Sequence, residues 1–194
     1  MTENCKKNSI SIGNCGEYFV AAELERRGWT AAVPMSNTKD FDILAINRTS
    51  YKQVAIQVKS TQKGSKRKKW VLTKKCETLS APHIVYIFVA LNDLGVPEYH
   101  IVPSEYIART IKHGHQKWLN SPGRKGERHN DNNLREFNDK EGAFLDNWDL
   151  LNAAATPSLE NTTSTHENAP EAAAPATTPP TNETPQEAAD KPCK

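Results

Sequence analysis

The sequence predicts an α/β layer fold, a mixed β-sheet flanked by helices. Three observations predict it: a helical apolar stripe near the start, a run of short apolar segments between residues 30 and 102, and a second helical stripe after Pro103. The first helix is expected from about Asn14 to Arg27. Ser11 or Asn14 can cap it, Arg26 and Arg27 suit its C-terminal end, and Gly28 can terminate it. Val20, Ala21 and Leu24 stand three, four and seven positions after Glu17. That spacing puts the Glu17 carboxylate at the head of the buried stripe, an unusual place for an acid.

Thr30 to Val33 reads as a short strand ended by Pro34, followed by a polar turn from Ser36 to Lys39. Phe41 to Asn47 and Gln53 to Ser60 then look like a hairpin. On the second of these strands Val54, Ile56 and Val58 share one face, so Ala55, Gln57 and Lys59 share the other. On the first strand Asp42, Leu44 and Ile46 are cofacial. Pairing Asp42 opposite Gln57 or Lys59 gathers all three polar groups, whereas a slip of one residue separates them. The turn from Arg48 to Lys52 has no glycine to select a turn type, so sequence leaves the register open. Asp40 is expected in the turn before the strand.

His83 to Leu91 is almost wholly apolar, as befits a central strand covered on both faces, and Tyr99 to Val102 is its expected neighbour. Ser104 can cap a helix reaching about Lys112, with Tyr106, Ile107 and Ile111 inward. Asn120 to Asn133 reads as a long polar loop. Phe144, Leu145, Trp148 and Leu151 sit at helical spacing and read most simply as a last element packing back on the domain.

Composition sets the limits. The 194 residues, with 37% apolar and 7% aromatic content, suit one domain with a modest core. We expect that domain to span residues 1–152. From Ala153 the chain turns to Ala, Pro, Thr, Glu and Asn and holds seven of the twelve prolines. It has too little apolar surface to offset its ordering entropy, so residues 153–194 are expected to form a disordered tail. The longest apolar run, Ile84 to Leu91, is too short to cross a bilayer, and Met1 to Lys7 leads into no signal core. A soluble, cytoplasmic protein without membrane contact is expected. Cys5, Cys15, Cys76 and Cys193 are scattered, which favours neither a zinc site nor a disulfide framework. The net charge of +2 divides unevenly, with 23 Lys+Arg against 17 Asp+Glu in residues 1–152. A surplus of that size favours a polyanionic partner but is also ordinary for a solvated surface.

Hydrolysing a phosphodiester needs charge stabilisation on an anionic phosphate together with a generated nucleophile. Oxygen ligands for a hard cation, with a lysine beside them, can answer both needs. Alone, each piece is ordinary: an Asp entering a strand is usually a turn residue, a Gln-x-Lys on a half-exposed strand is usually surface, and a Glu near a helix start is commonly held by the dipole. Their order is less ordinary. Gly16-Glu17 lies in an opening helix, Phe41-Asp42-Ile43-Leu44 follows, and fifteen residues separate Asp42 from Gln57-Val58-Lys59.

This arrangement, from about Ile10 to Val102, resembles the PD-(D/E)xK nuclease superfamily, particularly its Holliday-junction-resolvase-like and restriction-endonuclease-like members. The resemblance implies a restriction-endonuclease-like core and Mg²⁺ (or Mn²⁺)-dependent cleavage of DNA, and sequence leaves RNA open as the alternative nucleic acid. It implies Asp42 as the principal metal ligand, Glu17 as an accessory acid, Gln57 in the second-acid position, and Lys59 as the residue that orients the attacking water or neutralises developing charge. Phe41 replaces the proline of the family's name. Gln57 is the larger departure, since an amide oxygen brings no charge to the cation. A catalytically silent nucleic-acid-binding module and an interaction scaffold are the rival readings, and the oligomeric state stays open, a homodimer included.

Lys63, Lys66, Arg67, Lys68 and Lys69 follow the motif strand and could grip phosphates, with Ser60 and Thr61 as minor donors; the plain alternative is a solvated loop. Arg124, Lys125 and Arg128 could form a second arm. His113, His115 and His129 lack the spacing of a helical zinc pair and read as surface residues, while His83 and His100 fall at strand positions near the core edge. No GxxxxGK[ST], GxGxxG or GxSxG occurs, which leaves no positive case for an NTPase, a dinucleotide enzyme or a serine hydrolase.

Overall fold

The alternation read from Val54, Ile56 and Val58 has a helix to face. In the computed structural model, which describes residues 9–34, 41–62 and 69–154, α1 runs Ser9–Arg26 and buries Gly16, Val20 and Leu24 against that row. The helix starts five residues earlier than expected and ends one residue earlier. Gly28, at φ 80°, turns the chain into β1, Trp29–Ala32.

β2 is Ile43–Asn47 and β3 is Gln53–Gln62, so Phe41 and Asp42 precede β2 instead of belonging to it. β4 (Trp70–Thr73) and a 3-10 turn (Lys74–Glu77) follow, then β5 (Ile84–Leu91), β6 (Glu98–Pro103), α2 (Ser104–Leu119), β7 (Leu134–Phe137) and α3 (Leu150–Ala154). The main sheet has order β1-β2-β3-β5-β6, mixed because β3 and β5 are parallel and the other neighbours antiparallel. A parallel pair needs a long connection, and here it is the β4 excursion. β4 pairs with β7 in a separate two-stranded sheet that the sequence reading did not anticipate.

The result is an α/β fold with a mixed five-stranded sheet between helices, consistent with a restriction-endonuclease-like core. One core lies between α1 and the sheet and includes Val20, Leu24, Ile43, Ile56, Val85 and Ile87. The other lies between the sheet, α2 and the small sheet, and includes Trp70, Tyr86, Phe88, Ile107, Ile111 and Phe137. β5 is buried from Val85 to Leu91, as a strand covered on both faces must be.

Three differences from expectation have clear causes. Ser104 does not cap α2. Pro103 occupies that position, and the Ser104 hydroxyl donates to the Ala81 carbonyl at 2.8 Å and accepts the Ala81 amide at 3.1 Å. α2 continues past Lys112 to Leu119 because His115, four residues after Ile111, extends the inner stripe; it is buried, with Nε2 2.8 Å from Asp131. The surface reading of His115 is therefore overturned, while His113 is exposed and His129 half-buried.

The last element, despite its helical spacing, is mostly turn and becomes helical only at Leu150–Ala154. Asp139 accepts the Ala143 and Phe144 amides, each at 3.0 Å, and pairs with buried His100 at 2.8 Å. Asp146, at φ 49°, interrupts any helix there. Phe144 consequently packs on Tyr106 in the α2-side core, whereas Leu151 reaches the α1-side core. The segment wraps the β6 edge, with Ile101 donating to the Phe144 carbonyl and Asp146 to the Tyr99 carbonyl. At the other margin the Ala31 amide of β1 donates to Glu25 Oε1 at 2.9 Å. Of the expected tail, only Ala153 and Ala154 are described, and they close α3; the polar turn at 36–39 and Asp40 lie outside the described residues.

Gly16 sets how closely α1 approaches β3. A Cβ at that position would overlap Oγ and Cβ of Ser60, so any larger residue forces the helix outward. We expect Gly16→Ala to destabilise the domain by about 1–3 kcal/mol, the usual cost of overpacking. Urea denaturation checks this, and Ser60→Gly in the same chain should recover part of the loss.

Candidate active site

β3 carries the site, and its hydrogen bonding explains why the site forms at its β2 side. Ala55 donates across to the His83 carbonyl at 2.9 Å, so the alternate amides of Ile56 and Val58 point toward β2. β2 begins at Ile43, paired with Ile56, and supplies no ladder partner for Val58. Asp42 fills that gap. Its Oδ2 accepts the Val58 amide at 2.7 Å while its own amide donates to the Ile56 carbonyl at 2.8 Å. The register continues to Asp42 opposite Gln57, the gathered arrangement of the two left open by sequence.

Lys59 completes the cluster. Its Nζ lies 3.7 Å from Asp42 Oδ2, donates to Gln57 Oε1 at 3.0 Å and donates to the Val58 carbonyl at 3.1 Å. Gln57 is buried at 8% exposure, whereas the Lys59 and Asp42 side chains keep 30% and 25%. The amide is thus fixed from below and the charged groups face a partly open cleft. Tyr86 lies beside Gln57 in the β3–β5 register and is fully buried; burial first, then the neighbouring Cys76, hold its phenol protonated far above the usual range.

Glu17 reaches the same place from α1. Burial raises its pKa above the ordinary carboxylate value, the Asp42 charge raises it further, and Lys59 opposes both. Among the described residues its carboxylate has neither a hydrogen bond nor an ion pair. Two carboxylates that repel each other, one poorly solvated, together with an amide oxygen, form a donor set suited to a hard divalent cation. The amide oxygen has a second lone pair beyond the one Lys59 uses. No cluster of three His, Cys, Asp or Glu side chains occurs among the described residues, so Gln57 is what would complete a three-oxygen set.

The other expected contacts fare differently. Lys63, Lys66, Arg67 and Lys68 lie outside the described residues. Lys69 is exposed but paired with Glu136 at 2.6 Å. Ser60 is not available as a phosphate donor, because its hydroxyl is buried toward α1 without a hydrogen-bond partner among the described residues. Sequence reasoning missed Tyr86 as the backing of Gln57 and Gly16 as the contact that brings α1 close. The two-residue period of β5 could have supplied the first.

The Glu17 titration reports this geometry directly. Asp42→Asn removes the like charge and should lower the Glu17 midpoint, whereas Lys59→Met removes the opposing charge and should raise it. Carboxylate-selective NMR titration of the three proteins checks both signs. A Glu17 midpoint unmoved in both variants would mean that the carboxylate lies apart from the cluster. Because the folded-state pKa is raised, the Glu17 contribution to stability is present in full at pH below its unfolded value and is lost as pH rises through the raised one.

No protein-family model and no curated protein matches this chain. Two solved structures are similar to it. The bacterial homing endonuclease I-Ssp6803I is 14% identical, with the match covering 52% of this chain and 68% of that one at a TM-score of 0.40. Hjc, a Holliday junction resolvase from the archaeal hyperthermophile Archaeoglobus fulgidus, is also 14% identical, with the match covering 66% of this chain and 84% of that one at a TM-score of 0.37.

Proposed function

We propose that the chain is a divalent-metal-dependent endonuclease that hydrolyses DNA, with Asp42, Glu17 and Gln57 holding Mg²⁺ or Mn²⁺. The observation that carries this reading is the meeting of Asp42, Gln57 and Lys59 in one partly open cleft beside the strained Glu17 carboxylate. A bound divalent ion supplies Lewis-acid charge at the phosphate and lowers the pKa of a coordinated water. The residues of the chain do the remainder. The Val58 amide fixes Asp42 Oδ2, so the carboxylate needs little reorganisation to present its other oxygen. Lys59, held over Gln57, is placed to orient a water or neutralise a non-bridging phosphate oxygen. Burial of Gln57 keeps that lysine's anchor still. The basic segment containing Lys63, Lys66, Arg67, Lys68 and Lys69 is assigned to phosphate contacts.

A specific observation favours a second reading, a catalytically silent DNA-binding module. Gln57 Oε1 already accepts from Lys59, and the neutral amide leaves the site one charge short of a three-carboxylate centre. One experiment separates the two. Supercoiled, linear, branched and single-stranded DNA, and RNA, are incubated with and without Mg²⁺. We expect metal-dependent cleavage by the wild type, its loss in Asp42→Ala with DNA affinity retained, and a lower Mg²⁺ concentration for half-maximal cleavage in Gln57→Glu. If neither the wild type nor Gln57→Glu cuts any substrate with any divalent ion, the silent module is the better reading.

A further inference from the structure

The small sheet ends differently from the large one. In the main sheet the chain after Asp139 lies along β6, and Glu25 takes the Ala31 amide of β1. The two-stranded sheet has no such cover along β7. The Lys74 amide donates to the Asn133 carbonyl at 3.0 Å, so by antiparallel alternation Arg135 and Phe137 are the residues bonded to β4. Leu134 and Glu136 therefore turn their amides and carbonyls outward. The Leu134 amide is satisfied by Asn132 Oδ1 at 2.9 Å and its carbonyl by the Arg135 guanidinium. Among the described residues the outward amide and carbonyl of Glu136 have no hydrogen bond, and neither has Asn138 just beyond it. An edge of this kind is a template for another strand.

Beside that edge lies a groove. A cavity of about 430 Å³ runs along residues 134–138, with Gly114, His115 and Trp118 of α2 as its other wall, and no residue of β4 lines it. It follows the free side of β7. Gly114 helps to keep it open, since a Cβ there would meet nothing within 4 Å and no packing calls for a glycine in the helix. Trp118, its ring stacked on His129 at 4.2 Å, offers an apolar surface. The charges of the groove are already balanced. Lys69 pairs with Glu136 at 2.6 Å, Arg135 with Glu77, and His115 with Asp131 at 2.8 Å.

We propose that this groove binds a short, extended, uncharged peptide segment of a partner protein as a third strand on β7, with an apolar side chain against Trp118. Main-chain hydrogen bonds at Glu136 and Asn138 supply affinity, and the groove beside them selects alternate side chains. Leu134, 49% exposed, gives the added strand an apolar neighbour on the solvent face. A neutral groove suits a neutral segment, because a charge placed there would lose water and gain no partner. The size of the site favours a peptide motif over a second copy of the chain. β7 has four residues, about 13 Å at the usual rise. A stable interface between copies needs about 800 Å² from each. The site uses none of Asp42, Gln57, Lys59 and Glu17, so its test is independent of whether the chain cuts DNA.

The test titrates isotope-labelled full-length protein, followed by NMR, with a capped peptide of alternating threonine and valine that carries phenylalanine at its centre. We expect saturable shifts of the Glu136 and Asn138 amides and of the Trp118 indole. The same peptide N-methylated at every residue keeps its side chains but loses its donors, and it should bind at least about tenfold more weakly. Glu136→Pro deletes the outward donor without touching the bonds to β4, since an edge strand tolerates proline there, and should weaken binding about tenfold. Glu136→Gln breaks only the Lys69 pair and should leave affinity within about twofold. Gly114→Leu narrows the groove while improving helix propensity, so its melting temperature should equal or exceed that of the wild type while binding falls about tenfold. This variant decides the matter if Glu136→Pro does not fold. Three results overturn the proposal: no shift at Glu136 with millimolar peptide, equal binding of the N-methylated peptide, or a dimer in sedimentation that Gly114→Leu or Glu136→Pro dissociates. The second would make the groove a pocket for apolar side chains alone, and the third would make a second copy its occupant.

Discussion

One carboxylate oxygen organises the site. Val58 presents an amide to a neighbour strand that has not yet begun, and Asp42 Oδ2 stands in for the missing carbonyl. A charged acceptor makes this bond stronger than an ordinary ladder bond, and leaving a part-buried amide unpaired would cost about 1–3 kcal/mol. That energy holds Asp42 at the sheet end and orients it toward Lys59. The same group thus serves the fold and the candidate chemistry, and its two oxygens divide the work. Oδ2 is held by backbone and lysine, and among the described residues Oδ1 has no hydrogen bond.

The second dependence is steric. Glu17 faces Asp42 only because Gly16 lets α1 settle onto Val58 and Ser60. Burial and like charge then leave Glu17 easier to protonate than an exposed acid. The site is assembled from two rigid elements, and its electrostatic strain is relieved by a proton or by a cation. This explains why a group with no bonded partner can persist there: the apolar contacts of Val20 and Leu24, not the site, pin the helix.

Much of this was legible in the sequence where one period governs one element. The alternation of Val54, Ile56 and Val58 placed Gln57 and Lys59 on one face, and the stripe after Glu17 aimed the acid inward. The register was not legible, because no turn residue selects it; a backbone amide at Val58 decided it. α2 was read too short because Gly114 and two histidines look like a polar break, and only the depth of His115 against Asp131 shows the stripe continuing. The β4–β7 sheet was missed because its strands are four residues long and 60 residues apart, so neither carries a recognisable pattern alone. Its strands are held by Trp70, Leu72 and Phe137 in the α2-side core and tied down by Arg135, which is 3% exposed and bonded to Glu77 and to the Asn132 and Leu134 carbonyls. A buried cation of this kind is specified by its acceptors, and the charged one, Glu77, lies 58 residues away in the chain.

The β6 margin of the main sheet is covered and the β1 margin is capped at one amide, and this bears on how copies of the protein can meet. An open edge strand presents unpaired amides and carbonyls that recruit other strands and seed aggregation. Here the chain after Asp139 lies along β6 and takes the Ile101 amide and the Tyr99 carbonyl, while Glu25 takes the Ala31 amide of β1. Strand-by-strand extension of the sheet from one molecule to the next has no template at these positions. Along the β6 margin, association between copies is left to helix faces and loops, whose side chains can be selective.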